Sequence, residues 1–311
     1  MPSILTSWAR SFVVALSLLA LCAPAWAEPK PPAKLDSKAV EPQVFRYKYY
    51  AGTKQTYDNK IVQESRVEAK GAPGQVPEGA LVTTIDTTFT NTAIKVLPSG
   101  EGTFERTTDK IAVSLTQGKQ AIPSERLQPQ LDAVKKIKRS YKTTPEGERS
   151  QQKVENLPPG AQQALDNPIQ DLLIDGLAAF PSQPMKIGDQ WKRKLPVEIK
   201  QGPMSLKFSV VVDSTFLGYT QEGSRRLAVF KAEVFLLLVD QKTEMPGHKV
   251  DVQGSGKGGG YFYFDQKEGS LVRSEVEFNQ SLTTSIGAGE QGQSLGVQTK
   301  ATILLTLQGA K

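Results

Sequence analysis

Apolar and polar positions alternate along most of this chain, and the alternation predicts strands of unusual length. Leu206, Phe208, Val210, Val212, Ser214 and Phe216 fall on one face of one stretch, and Lys207, Ser209, Val211, Asp213 and Thr215 on the other. After a turn at Gly218 to Gly223, Ala228, Phe230, Ala232, Val234, Leu236 and Leu238 repeat the pattern. A period of two is the signature of a half-buried strand. Further strands are predicted from about Lys249 to Phe264, Leu271 to Ile286 and Gln298 to Leu307. Upstream, alternation marks Val44 to Tyr50, with Phe45, Tyr47 and Tyr49 on one face, then Tyr57 to Ala69, Leu81 to Val96 and Thr103 to Leu115. Typical strands have about five or six residues. Strands this long must coil, so a strongly curved sheet is expected.

Between Ser124 and Phe180 the period changes. Leu127, Leu131, Val134 and Ile137 form a helical stripe behind a Ser124 N-cap. Arg139 to Thr144 and Glu148 to Glu155, joined by Pro145-Glu146-Gly147, read as a polar hairpin. Asn167 before Pro168, with Gln170 three after the cap, opens a second stripe: Ile169, Leu172, Leu173, Gly176, Leu177 and Phe180. The expected fold class is therefore α+β: two curved, half-barrel-like antiparallel sheets with helices between them. The organisation expected is 1–27 signal peptide, 28–42 flexible linker, 43–123 first β half, 124–180 helical segment with hairpin, and 181–311 long-stranded sheet.

Gly254, Gly256, Gly258 and Gly260 are two apart and share one face of one strand. A glycine-lined face either bends a strand or admits another backbone or a ligand. Bending with helix packing is the reading adopted.

The first residues narrow the location. Arg10 precedes the apolar run Ser11 to Leu21, which ends in Ala25-Trp26-Ala27 before Glu28. That is a cleavable secretory signal, too short to span a bilayer, which needs about 20 apolar residues. Leu19-Ala20-Leu21-Cys22 offers the alternative of a lipid anchor at Cys22, against which stands the bulky Leu21. The expected location is the periplasm or the exterior, with no transmembrane span in the mature chain. Cutting after Ala27 removes Cys22, Trp8 and Trp26, leaving one histidine (His248), one tryptophan (Trp191) and no cysteine, hence no disulfide.

Composition leaves little room for chemistry. The formal charge of +6 is spread thinly, and its densest run, Lys135-Lys136-Ile137-Lys138-Arg139, reads as a solvated helix end. No aromatic-basic platform points to nucleic acid. Gly254-Ser-Gly-Lys-Gly258 lacks the Ser or Thr and the upstream glycine of a phosphate loop. A lone His248 builds neither a metal site nor a Ser-His-Asp triad without a strained Gly-x-Ser-x-Gly elbow. Glu275 and Glu277 fall on a strand's exposed face, and Asp189 and Asp265 in turns. No cofactor, metal or catalytic residue is expected, and an unrecognised hydrolase ranks third among the functional readings.

Two stretches carry a likeness. Phe180-Pro181-Ser-Gln-Pro184-Met-Lys-Ile-Gly188-Asp189-Gln-Trp191 and Tyr263-Phe264-Asp265-Gln-Lys-Glu-Gly269-Ser-Leu271-Val-Arg-Ser274, with the opening Tyr47-Lys-Tyr-Tyr-Ala-Gly52, resemble a family of uncharacterised bacterial secreted or lipid-anchored β-rich proteins. The resemblance implies an exported β-rich fold and no catalytic residue. More distantly, curved sheets backed by helices resemble the half-barrels of periplasmic lipoprotein carriers. The leading functional expectation is a non-catalytic envelope protein that takes a lipid or other apolar or amphipathic ligand on a concave face lined by Phe208, Val210, Phe216, Phe230, Val234 and Leu236. The alternative is an envelope protein whose helices fill that face and whose partner protein docks elsewhere.

Overall fold

The computed structural model describes residues 29–310 except 30, 33, 39, 71–79, 119, 157–171, 202–203, 244–249 and 287–292. The signal segment with Cys22, the Ile169 end of the second helical stripe, and His248 therefore lie outside the described residues.

The expectation of an α+β fold with two sheets is wrong. Every described strand joins one antiparallel sheet of twelve: β1 (Lys54–Lys70), β2 (Leu81–Val96), β3 (Gly102–Gln117), β4 (Gln120–Ile122), β5 (Lys138–Thr143), β6 (Arg149–Glu155), β7 (Gln190–Gln201), β8 (Met204–Glu222), β9 (Arg225–Thr243), β10 (Val250–Asp265), β11 (Ser270–Ile286) and β12 (Gln293–Ala310). Their order is β6-β5-β3-β2-β1-β12-β11-β10-β9-β8-β7, with β4 added to β3. The sheet ends at β6 and β7, so it is not a closed barrel. The two β-rich halves fuse because β1 pairs with β12, from Gln55 opposite Ala310 to Lys70 opposite Ser294.

Among the described residues the helices are short fragments. A single turn at Ser124–Leu127 leads into an eight-residue helix α1, Gln128–Lys135, which buries only Leu131 and hands over to β5 at Lys138. The second stripe contributes a π-type turn at Leu172–Gly176. Beyond it the chain turns, with Ala179 N–H donating to the Leu177 carbonyl and Phe180 N–H to the Glu146 carbonyl. Pro181 follows, and a residue before proline is driven out of the α region. Leu173, Ile174, Leu177 and Phe180 are still buried, but as a plug on the sheet.

The glycine row makes room for the neighbouring strand. Gly254, Gly256 and Gly258 face Leu282, Gln280 and Phe278 across the β10–β11 ladder. A Cβ at Gly256 would stand 2.7 Å from the Phe278 ring, and one at Gly254 would stand 2.7 Å from Leu282. The missing side chains are replaced by Phe278 and Leu282 of the neighbouring strand. This is the close approach of packed side chains that a glycine in a strand interior admits.

Residues 44–50, read as a strand, are instead part of a strap. With no partner strand, their alternation serves a different end. Leu35 packs on an outer-face cluster of Leu227, Val229, Tyr261, Tyr263 and Val272. Asp36 then pairs with Tyr219 through two backbone hydrogen bonds of 2.7 and 2.9 Å. It crosses directly over Gly218, where φ is +130° and no side chain fits. Gln43 pairs with Met185, and Phe45 enters the core fully buried. Arg46 donates to the carbonyls of Pro181 and Ser182 and pairs with Glu146 at 3.1 Å.

Candidate functional site

All six residues expected to line the concave face point inward, and none is more than 2 % exposed. Phe216 lies opposite Phe230, Val212 opposite Val234, and Val210 opposite Leu236. Register shifts at Lys207/Phe208 and Phe216/Gly218 leave Val239 of β9 and Leu217 of β8 unpaired and keep this phase.

The face is not uniform along its length. At one end Phe216 and Phe230 stack at 5.0 Å, and Phe45 meets both edge-on at 5.0 Å. Phe180 and Trp191 close over Phe230 at 5.1 and 5.8 Å. That end is filled. The π-type turn packs on β11 and β12, where Ser274 Oγ donates to the Ile174 carbonyl at 3.1 Å. Leu282 lies eight residues further along β11, roughly 25 Å at the rise of a strand. There Leu206, Leu236, Val252 and Val297 join the same cluster, while Leu195, Val197, Leu238 and Leu295 at its margin are only partly buried.

Polar atoms are set into this apolar interior. Ser65 and Thr299 hydroxyls satisfy each other at 2.9 Å. Asn59 Oδ1, Ser214 Oγ and Gln280 Oε1 are buried without a hydrogen-bond partner among the described residues. Arg193 on β7 donates to the Gly176 and Leu177 carbonyls, both at 2.9 Å, and so ties down the end of the π-type turn. Burial holds its guanidinium below the usual arginine range, with Glu148 opposing.

A second site was not foreseen. Between the strap and the β1–β5 side of the sheet is a cavity of about 40 Å³. Tyr47, Tyr49, Tyr57, Phe104 and Tyr141 supply its aromatic walls, and Gln55, Asn91, Thr143 and Arg149 its polar groups. The walls are braced by rings and cations in alternation. Arg149 lies 4.4 Å over Tyr141, Arg106 lies 4.3 Å over Phe89, and Phe89 stacks on Tyr57 at 5.5 Å. Phe104 stacks on Tyr141 at 5.6 Å and meets Tyr49 edge-on at 4.7 Å. Gly147, at φ +91°, closes one wall, since a side chain there would strike Tyr47 and the Ala178 carbonyl. Burial, with Tyr47 and Tyr141 adding to it and Arg149 opposing, pushes the Tyr49 hydroxyl well above the ordinary tyrosine range. The lining comes from the strap, β1, β2, β3, β5, β6 and the start of β11, so no local motif announces it. The one sequence trace is the alternation of Phe104 with Arg106 and of Tyr47 with Tyr49 in otherwise Thr- and Lys-rich stretches.

The remaining chemical candidates have ordinary structural roles. Asp265 Oδ1 accepts the N–H groups of Lys267 and Glu268, both at 3.0 Å, and Asp189 Oδ2 accepts that of Lys186 at 2.8 Å, so both shape turns. Glu275 and Glu277 pair on the outer face with Arg273 at 3.3 Å and Lys300 at 3.6 Å. In the basic run, Lys135 meets Asp132 and Lys138 meets Glu105. Gly254 to Gly258 are strand, not a loop. Among the described residues no three His, Cys, Asp or Glu side chains converge on a metal-sized site, and no helix is long and apolar enough to cross a membrane.

Comparison with known proteins leaves the fold standing on its own geometry. No family model and no curated protein matches the chain. Two solved structures are similar at 9% identity: Pseudomonas aeruginosa OpdL, over 82% of this chain and 99% of that one with a TM-score of 0.23, and an outer membrane channel from Pseudomonas putida, over 86% and 99% with a TM-score of 0.17. Superpositions this poor carry no argument about the site. What stands is a β-rich protein built on one open, twelve-stranded antiparallel sheet.

Proposed function

We propose that this is an exported binding protein of the bacterial envelope that holds an amphipathic molecule against the concave face of its sheet. Phe208, Val210, Val234 and Leu236 line the proposed ligand path, and Phe216 and Phe230 form its sealed end. One observation carries the reading. Asn59, Ser214 and Gln280 each turn a polar atom into an apolar interior without a protein partner among the described residues. Each such atom costs about 1–3 kcal/mol if nothing satisfies it. A face meant only for packing has no use for that expense, whereas an interior that receives polar groups along with an apolar body does. The signal-like first 27 residues support export.

A second reading keeps the interior filled and places the partner outside. It is favoured by the exposed Leu237 and Val239, which stand together on the outer side of β9. A fluorescent fatty-acyl probe separates the two. Saturable binding at a definite stoichiometry, weakened by Val234→Gln more than stability is, is expected. Absence of saturable binding by the intact exported protein would leave the filled-core reading in possession.

A further inference from the structure

We propose that the tyrosine-lined cavity is a pocket for a carboxylate group, anchored by Arg149 and Asn91. Arg106 Nε reaches Asn91 Oδ1 at 2.8 Å. Arginine has no acceptor, so Asn91 must present its oxygen to Arg106 and keep its NH2 for the other side. Asn91 is a buried side chain on the cavity wall, only 6 % exposed. The Tyr57 hydroxyl has one proton, which the Leu271 carbonyl accepts at 3.2 Å, so the Gln55 amide 3.4 Å away can turn either end to the cavity. Tyr49 stays protonated across the physiological range and is a donor there. Arg149 adds a guanidinium whose centre lies 4.4 Å over the Tyr141 ring, and its five N–H donors are more than one partner takes up.

The lining is thus rich in donors and holds no aspartate or glutamate. Aromatic walls alone would suit a cation, but Arg149 and Arg106 already occupy the ring faces of Tyr141 and Phe89. With those faces taken and no carboxylate in the lining, a small planar anion suits the donors better than a cation. The volume of about 40 Å³ is a few times the minimum a single water needs, so it admits a group of a few heavy atoms and not a whole lipid. The carboxylate can belong to a free small acid or to the end of an acyl chain. The second source rests on the ligand path proposed above, and is within reach because Tyr57 and Leu271 belong to both the cavity wall and the core cluster.

The test is titration calorimetry of the exported protein with acetate, dodecanoate and dodecanol, repeated on Arg149→Gln and Asn91→Asp. The aspartate keeps an oxygen for Arg106 but replaces the donor facing the cavity with a negative charge. Thermal melts establish that each variant is folded. Charge-assisted hydrogen bonds predict that dodecanoate binds at least about tenfold more tightly than dodecanol, and that both variants abolish the preference without weakening dodecanol. Acetate binding with the same dependence, but no acyl binding, would uphold the pocket and overturn the acyl path. Equal affinities for dodecanoate and dodecanol would overturn the pocket and leave the path standing. No binding of any of the three would overturn both.

Discussion

The two arms of the sheet share one pleat and one concave side, yet they fill it differently. On β8 to β10 the inward row is apolar but for Ser214: Val210, Val212 and Phe216, then Phe230, Val234 and Leu236, then Phe262 and Phe264, with glycines on β10 where the neighbour's side chains need room. On β1 to β3 the inward row alternates again, but between aromatic and polar side chains: Tyr57 and Asn59, Phe89 and Asn91, Phe104 and Arg106. The first arm excludes water by filling space. The second buries amides and a guanidinium, and keeps them by pairing Asn91 with Arg106 and laying Arg106 over a ring. Burial alone therefore does not separate core from site. The character of the buried groups does.

That contrast can be broken by substitution. The largest effect is expected in the apolar arm. Phe230→Ala removes a ring that touches Phe45, Phe180, Phe216, Phe262 and Trp191. It should cost about 3–5 kcal/mol in urea unfolding, because the surrounding rings cannot collapse into the gap. Gly256→Val drives a branched side chain into the Phe278 ring and should cost about 1–3 kcal/mol or more. A melt unchanged from the parent would mean that Phe278 does not need the room Gly256 leaves.

In the polar arm, Arg106→Met leaves Asn91 Oδ1 buried without its donor and should cost about 1–3 kcal/mol, with Asn91→Leu added on top restoring part of the loss. A double-mutant cycle showing no coupling would remove the claim that the two hold each other. The smallest effect belongs to Lys207→Ala, beside Phe208 but on the other side of β8. Its pairing with Asp240 at 3.7 Å is exposed, and the loss should stay within about 0.5 kcal/mol. A large loss there would reverse the inward and outward assignment of the strand.

Strand existence and phase were legible because alternation is a local signal and the long strands repeat it many times. Phe208, Phe216, Phe230 and Leu236 could be placed on the inner side from spacing alone. Pairing was not legible. Nothing in Val62 or Ile61 announces that Thr302 and Ile303 lie beside them, so two halves separated by a helical stretch read as two sheets. The helices were overread for a different reason. Leu131 and Ile137, or Leu173 and Leu177, are buried at helical spacing. Yet among the described residues only α1 is a regular α-helix, and Pro181 keeps Phe180 out of the helical conformation, which a periodicity count does not weigh. The cavity was the least legible part, since its walls are gathered from seven segments and each wall residue, taken alone, looks like one more inward position.

The β1–β12 seam has a consequence for how the molecule is assembled. β12 sits between β1 and β11, so the middle of the sheet waits for a strand at the far end of the chain from its partner. Contacts this distant in sequence are formed late and slowly, because a large loop must close before they stabilise anything. Until β12 docks, β1 and β11 each offer an open edge of seventeen residues, and such edges recruit stray strands. The seam that unites the two arms is thus also the place where an unfinished copy is most prone to pair with another.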